Sequence, residues 1–123
     1  MKEKILVDTS IIIEYLKTGK GSLPKAYEKY EMYISSTVYI EILASSTFMD
    51  KELKKEVEEF ITKYFIIDMP DIEIIKKTAE IIRNYGTTLA VGITAATCIV
   101  REYKLLTESE DFEPINEIQC AII

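Results

Sequence analysis

The stretch ILVDTSIIIEYL, residues 5–16, decides the fold prediction because its character changes at one acidic residue. Its opening ILVD belongs to a short apolar run with β-branched residues, which is typical of a buried strand. Residues 10–17 then show the apolar pattern of a helix, with Thr9 and Ser10 as candidate capping residues. The carboxylate of Asp8 therefore stands at a strand-to-helix junction, where its presence needs an explanation.

The rest of the chain repeats this alternation of short apolar strands and helical patterns. Such strands indicate a mostly parallel sheet of about five strands that helices cover on both faces, an α/β three-layer sandwich. Further strands are predicted at MYIS (32–35), FIID (65–68), the start of KLLTESEDF (104–112) and IQCAII (118–123). Four longer helices are predicted, at residues 36–46, 50–64 with Asp50 as N-cap, 71–86 and 89–103. In the third of these, Ile75, Ala79 and Ile82 share one face.

Length and composition narrow the possible functions. The 123 residues suit one domain, residues 1–123, and no apolar run approaches the roughly 20 residues of a membrane span. The start of the chain shows no secretory pattern, so we expect a cytoplasmic protein. A net charge of −6 argues against a protein that coats nucleic-acid phosphates, but it is compatible with a nuclease whose acidic site binds cations.

The absence of histidine restricts the chemistry further. It excludes Ser-His-Asp and Cys-His catalysis and removes the most common zinc ligand. Cys98 and Cys120 are far apart in the sequence and form no metal-binding motif, so we expect two buried, reduced thiols. Acid–base or metal chemistry in this chain must therefore use carboxylates.

Three acidic residues are candidates for such a site. Ligands of open α/β sheets bind beyond the carboxyl ends of the strands, where Asp8 and Thr107 are expected to lie. Glu41 is embedded in the apolar helix STVYIEILAS; it either leans over the same sheet edge or occupies the solvent-facing stripe of its helix. Asp111 lies in the loop after the fourth strand and is either a site residue or an ordinary loop or capping residue.

Four segments, in order, resemble the PIN domain family, and within it the small VapC-type toxins: ILVDTSIIIEYL, ISSTVYIEILAS, ITAATCIV and LLTESEDF. The resemblance implies the same three-layer sandwich and Mg²⁺- or Mn²⁺-dependent cleavage of RNA. It also implies a cognate antitoxin and a homodimer. It assigns metal-binding roles to Asp8 and Glu41, a catalytic role to Asp111, and supporting roles in the site to Thr9, Thr107 and Ser109.

The sequence departs from this family at two positions that usually carry polar or acidic ligands. Val91 stands where the family has Asp at the start of the ITAATCIV helix, and Ser109 where it tends to have Asp or Asn. Three interpretations follow. The chain is a ribonuclease with a reduced set of acids, a degenerate PIN domain that binds RNA or an antitoxin with little or no catalysis, or another small α/β module.

Overall fold

Four short parallel strands form the central layer of the protein, as seen in a computed structural model that describes residues 1–45 and 50–122. Their order across the sheet is β3-β2-β1-β4. The chain therefore adds β2 and then β3 on one side of β1, and adds β4 on the other side of β1. The strands are β1 (Glu3–Val7), β2 (Tyr30–Ser35), β3 (Ile66–Asp68) and β4 (Lys104–Leu106). The helices are α1 (Thr9–Thr18), α2 (Leu23–Lys29), α3 (Ser36–Ala44), α4 (Lys51–Tyr64), α5 (Ile72–Tyr85) and α6 (Leu89–Arg101).

Alternating side chains of β1 enter two separate hydrophobic cores. Ile5 and Val7 pack in the core that α1, α2, α3 and α4 cover, whereas Leu6 packs in the core under α5 and α6. All three are completely buried, as expected for a central strand covered on both faces. The structure therefore confirms the predicted three-layer α/β sandwich.

Several helix boundaries follow from the capping residues that the sequence indicated. Asp50 accepts hydrogen bonds from the backbone N–H groups of Glu52 and Leu53 and begins α4, as predicted. Gly86 ends α5 in the left-handed conformation, with φ of 67°, which glycine adopts without strain. Within the described residues, α3 ends at Ala44, and the predicted end near Ser46 lies outside them.

The predicted fifth strand at 118–123 is wrong for the residues described there. The segment contributes only an isolated parallel bridge between Cys120 and Leu105, and Ile123 lies outside the described residues. Leu105 donates a backbone hydrogen bond to the Gln119 carbonyl and accepts one from the Ala121 N–H, and among the described residues the pairing extends no further. The sheet therefore has four named strands rather than about five.

Two further expectations are corrected. The buried face of α5 is formed by Ile74, Thr78 and Ile81, because the helix is rotated by one residue from the predicted face; Ile75 is exposed. Cys98 is buried as expected, and burial raises the pKa of its thiol, which disfavours the reactive thiolate form. Cys120, in contrast, is exposed.

Candidate active site

Asp8 lies at the carboxyl end of β1, where the order in which strands are added to the sheet reverses. Val7 pairs with Leu106 at the ends of β1 and β4, and the backbone N–H of Asp8 donates to the Leu106 carbonyl at 2.9 Å. Since β1 and β4 are neighbours although the chain reaches β4 last, this junction is the topological switch point, where α/β proteins bind ligands. The residues directly after both strands, Asp8 and Thr107, meet there as the sequence predicted.

Two hydroxyl groups fix the carboxylate of Asp8. Ser10 Oγ donates to Asp8 Oδ2 at 3.0 Å, and Thr107 Oγ1 donates to the same oxygen at 2.8 Å. Hydrogen bonds to an ionised carboxylate are stronger than those between neutral groups, so they restrict its rotation. In the described part of the chain, Asp8 Oδ1 receives no hydrogen bond and is free to bind a ligand.

Glu41 is brought to Asp8 by the helix that follows β2. Ser35 begins α3 by accepting a hydrogen bond from the Val38 N–H at 3.2 Å, which sets the start of the helix at the same sheet edge. Five residues into α3, the exposed Glu41 accepts a hydrogen bond from Thr9 Oγ1 at 2.8 Å. Thr9 adjoins Asp8 in the sequence, so this bond joins the two acidic positions.

The loop after β4 supplies the third acidic residue. Thr107 Oγ1 accepts from the Ser109 N–H at 2.9 Å, and Ser109 Oγ accepts from the Asp111 N–H at 3.2 Å. Ser109 thereby caps the single 3₁₀ turn of residues 110–112, whose last residue, Phe112, is buried. Each hydroxyl in this chain of contacts orients the next backbone group, so the position of Asp111 depends on Thr107 and Ser109.

The start of α1, helix α3, the start of α6 and the loop after β4 enclose a cleft of about 240 Å³. The cleft brings together Asp8, Glu41 and Asp111, and no basic side chain is among its lining residues. Within residues 1–45 and 50–122, however, no three acidic, cysteine or histidine side chains are close enough together to form a metal-binding group. The lining residues are Asp8, Thr9, Ser10, Glu41, Thr88, Ala90, Val91, Thr94, Ser109, Asp111 and Phe112.

Sequence reasoning missed the roles of Ser10 and Thr88 at this cleft. Local sequence suggested Thr9 and Ser10 as caps of α1, and the family resemblance gave Thr9 a supporting role in the site. Both residues lie inside the helix, where the Thr9 hydroxyl bonds Glu41 and the Ser10 hydroxyl bonds Asp8. Thr88 caps α6 by accepting from the Val91 N–H at 3.2 Å and also lines the cleft. A Thr-Thr pair before an apolar helix is a recognisable N-cap signal, so Thr88 could have been found.

Comparison with known proteins gives the family. A family model described as PIN domain matches residues 5–118, which is most of the chain. The chain belongs to the PIN domain family. No curated protein matches it.

Solved structures of toxin–antitoxin complexes share this PIN fold. The VapBC-1 structure from nontypeable Haemophilus influenzae matches with a TM-score of 0.81 and 17% identity over 96% of both chains. The DNA-bound VapBC structure from Salmonella typhimurium gives a TM-score of 0.81 and 19% identity over 98% of both chains. A toxin–antitoxin complex from Klebsiella pneumoniae gives 0.75 and 22% identity, covering 93% of this chain and 94% of that one. At these identities the similarity concerns the fold.

The position at which this PIN domain lacks the expected acid faces the cleft. Val91 is the third residue of α6, and its partly buried side chain forms part of the cleft wall. An aspartate there would stand in the first turn of a helix, where the N-terminal partial charge favours a carboxylate. Val91 instead offers neither a charge nor an oxygen ligand at this position.

Proposed function

We propose that this PIN domain is a divalent-metal-dependent ribonuclease, the toxin of a VapBC-type pair. The observation that carries the proposal is the cleft at the switch point, in which Asp8, Glu41 and Asp111 come together. With no histidine in the sequence, only carboxylates could supply the metal ligands and proton acceptors of such a site.

The donor set suits Mg²⁺ or Mn²⁺ as the proposed cofactor. Mg²⁺ is commonly bound through one or two carboxylates, with water and substrate phosphate completing the coordination. Asp8 and Glu41 each have one carboxylate oxygen fixed by a hydroxyl donor and, within the described residues, a second oxygen that accepts no hydrogen bond.

Each polar group would then have a separate task in phosphodiester cleavage. A bound ion supplies an activated water and neutralises charge on the phosphate. Asp8 and Glu41 would hold that ion, while Thr9, Ser10 and Thr107 keep the two carboxylates oriented. Asp111, which also lines the cleft, would accept a proton or orient the water.

Val91 supports a second candidate function, in which the chain binds RNA or an antitoxin without cutting RNA. The cleft wall at Val91 offers no carboxylate, so a cation there would have fewer ligands than in the resembled family. Fewer ligands mean weaker binding of a cation that already gives up its water reluctantly. The two candidates differ in one measurable property, which is metal-dependent cleavage.

Cleavage of RNA with Mg²⁺ or Mn²⁺ tests both candidates when four proteins are assayed together: the wild type, Asp8→Ala, Val91→Asp and Glu56→Ala. Under the ribonuclease proposal, the wild type cleaves, Asp8→Ala does not, and Val91→Asp cleaves at least as fast. Glu56→Ala, which removes an exposed charge of α4, should match the wild type. An inactive wild type together with an active Val91→Asp variant would favour the binding module.

The proposed partners are RNA, a cognate antitoxin and a second copy of the chain in the cytoplasm. The antitoxin is supported by the toxin–antitoxin complexes among the similar folds. In the described part of the chain, no helix has the length and apolar character needed to cross a bilayer. Light scattering of the purified protein tests the homodimer directly, since a monomer mass at micromolar concentration would contradict it.

A further inference from the structure

A second cavity adjoins the cleft that contains Asp8. Its lining residues come from segment 85–88, from Val91 and from segment 110–114, and we call it the side pocket. Its volume of about 500 Å³ falls within the range of roughly 300–1,000 Å³ that is usual for small-molecule sites. Thr88, Val91 and Asp111 line both cavities, so a molecule bound in the cleft can extend into the side pocket.

The side pocket has an aromatic ring in its wall. Tyr85, the last residue of α5, is half-buried and packs against the core under α5 and α6. Its hydroxyl donates to Asn116 Oδ1 at 3.4 Å, and among the described residues no other aromatic ring contacts it. Val91 and Pro114 add apolar side chains. These surfaces suit a flat ring system, since nucleobases of every kind stack on aromatic side chains.

Two threonine hydroxyls at the side pocket have unused hydrogen-bonding capacity. Thr87 Oγ1 is buried and has no hydrogen-bond partner in the described part of the chain. Thr88 Oγ1 accepts from the Val91 N–H, but within the described residues its own O–H has no acceptor. A buried polar group that stays unpaired costs free energy. An occupant with hydrogen-bond acceptors would therefore be favoured here.

The remaining polar groups of the side pocket are carboxylates. The Glu113 N–H donates to the Glu110 carbonyl at 3.0 Å across the 3₁₀ turn, and residues three apart in such a turn lie on the same side. None of Glu110, Asp111 and Glu113 belongs to an ion pair of the described residues, and no basic side chain lines the pocket. Carboxylates accept hydrogen bonds and repel phosphate, so this part of the pocket favours a neutral group with N–H donors.

We propose that the side pocket binds a nucleobase that carries an exocyclic amino group, in preference to uracil. Cytosine, adenine and guanine carry such a group, and carboxylates accept from the amino group of cytosine. Uracil presents a carbonyl oxygen at the same ring position, which a carboxylate repels. If the proposed ribonuclease function holds, on which this step rests, the base belongs to a nucleotide next to the phosphate in the cleft. Proteins commonly read single-stranded RNA in this way, by stacking an unpaired base and bonding its edge.

The competing occupant is a cationic side chain from a protein partner, which the three carboxylates would attract. A guanidinium or ammonium group has only donors, so it could not accept from the free O–H of Thr88. The edge of cytosine carries an amino donor together with ring nitrogen and carbonyl acceptors. It can therefore bond carboxylates and hydroxyls at once, while its face packs on Tyr85. The combination of groups in the pocket thus favours the base.

NMR titration of the ¹⁵N-labelled protein with cytidine and with uridine, in EDTA at neutral pH, tests this preference. The two nucleosides are uncharged and almost equal in size, and they differ in the amino or carbonyl group at ring position 4. Cytidine should shift the amide signals of residues 85–88 and 110–113 until they saturate. Uridine should bind about tenfold more weakly, the usual effect of losing one hydrogen bond to a charged group.

Three variants separate the two parts of this recognition. Glutamine donates as well as accepts, so in Glu113→Gln the preference for cytidine should largely disappear. In Tyr85→Leu both nucleosides should bind about fivefold or more weakly, because stacking does not depend on the identity of the base. Glu56→Gln removes an exposed carboxylate of α4 and is the control, which should keep the wild-type preference.

Equal binding of the two nucleosides, no binding of either, or a preference that persists in Glu113→Gln and in Glu110→Gln would refute the proposal. Tighter binding of N-ethylguanidinium than of cytidine at the same amides would refute it as well, and would assign the pocket to a cationic side chain. The titration uses neither metal nor RNA. A protein that prefers cytidine but cleaves no RNA would therefore overturn the proposed function alone, and an active ribonuclease without this preference would overturn the side pocket alone.

Discussion

Single hydroxyl groups determine how the acidic residues of the cleft are oriented. Asp8 Oδ2 receives hydrogen bonds from Ser10 and Thr107, and Glu41 Oε1 receives one from Thr9. Groups of this kind, which contact the ligand residues rather than the metal, restrict side-chain rotation before the ion arrives. If the cleft binds Mn²⁺, its affinity should depend on these hydroxyls as well as on the carboxylates.

We therefore expect Thr107→Val to weaken Mn²⁺ binding by about 10–100-fold, the usual effect of removing an outer-shell partner of a metal ligand. Valine keeps the shape of threonine but cannot donate to Asp8 or accept from the Ser109 N–H. Isothermal titration calorimetry with Mn²⁺ gives the affinity. Thr62→Val is the control, because the Thr62 hydroxyl bonds only carbonyls of its own helix among the described residues. Equal affinities in the two variants would contradict this role of Thr107.

Among the elements, α5 and α6 are joined to β3 by one arginine. Arg101, at the end of α6, donates through Nε to both oxygens of Asp68 at 3.3 Å and through Nη1 to Asp71 at 2.9 Å. Tyr103 also donates to Asp68, at 2.7 Å, and Asp71 caps α5 by accepting from the Ile74 N–H. The start of α5 and the end of α6 are therefore fixed to the same strand end.

This contact should make the contribution of Asp71 to stability sensitive to acid. The hydrogen bond from the Ile74 N–H, followed by the one from Arg101, lowers the pKa of Asp71 below its ordinary value of 3.8. Stabilisation from a lowered pKa is complete above that value and is lost as the pH falls through the folded-state pKa. Asparagine caps helices nearly as well but does not titrate.

Asp71→Asn should consequently unfold at lower urea concentration than the wild type at neutral pH, and this difference should shrink as the solution is acidified below pH 3.8. Urea titrations followed by circular dichroism at several pH values measure it. In an Arg101→Gln background the difference at neutral pH should be smaller, because the guanidinium group that lowers the pKa of Asp71 is gone. A difference that stays constant over the whole pH range would show that Asp71 acts only as a neutral cap.

The sequence predicted elements well wherever a local signal was unambiguous. Asp8 follows an apolar strand and precedes a helix, and its place at the sheet edge follows from that order. The buried face of α5 was missed because Ile74, Ile75, Ile81 and Ile82 allow two helical faces that differ by one residue. The choice between them depends on packing against the sheet, which local periodicity does not contain.

The contacts between distant elements were the least predictable part of the site. The bond from Thr9 to Glu41 joins residues 32 positions apart, and that from Thr107 to Asp8 joins residues 99 positions apart. The family resemblance gave Thr9 and Thr107 supporting roles in the site, but local sequence does not identify the acceptor of either hydroxyl. Those acceptors became visible only when the elements were packed together.

At the scale of the whole molecule, the protein has two hydrophobic cores but a single sheet between them. Ile5 lies in the core on the α1 side and Ile81 in the core on the α5 side, and both are completely buried. Adjacent residues of β1 contribute to opposite cores, so neither core can be disrupted without disturbing the strand that belongs to both. We therefore expect residues 1–123 to unfold as one cooperative domain.

Two matched substitutions test this expectation. Ile5→Val and Ile81→Val each remove one methylene group from a different core and should each cost about 0.5–1.5 kcal/mol. If the cores belong to one cooperative unit, both variants lower the midpoint of the same urea transition and leave its slope unchanged, because that slope reflects the surface exposed on unfolding. Ile72→Val, at a position with 66% exposure, is the control and should leave the midpoint close to that of the wild type. A second transition, or a slope that falls in only one variant, would mean that the helices on one face unfold separately from the sheet.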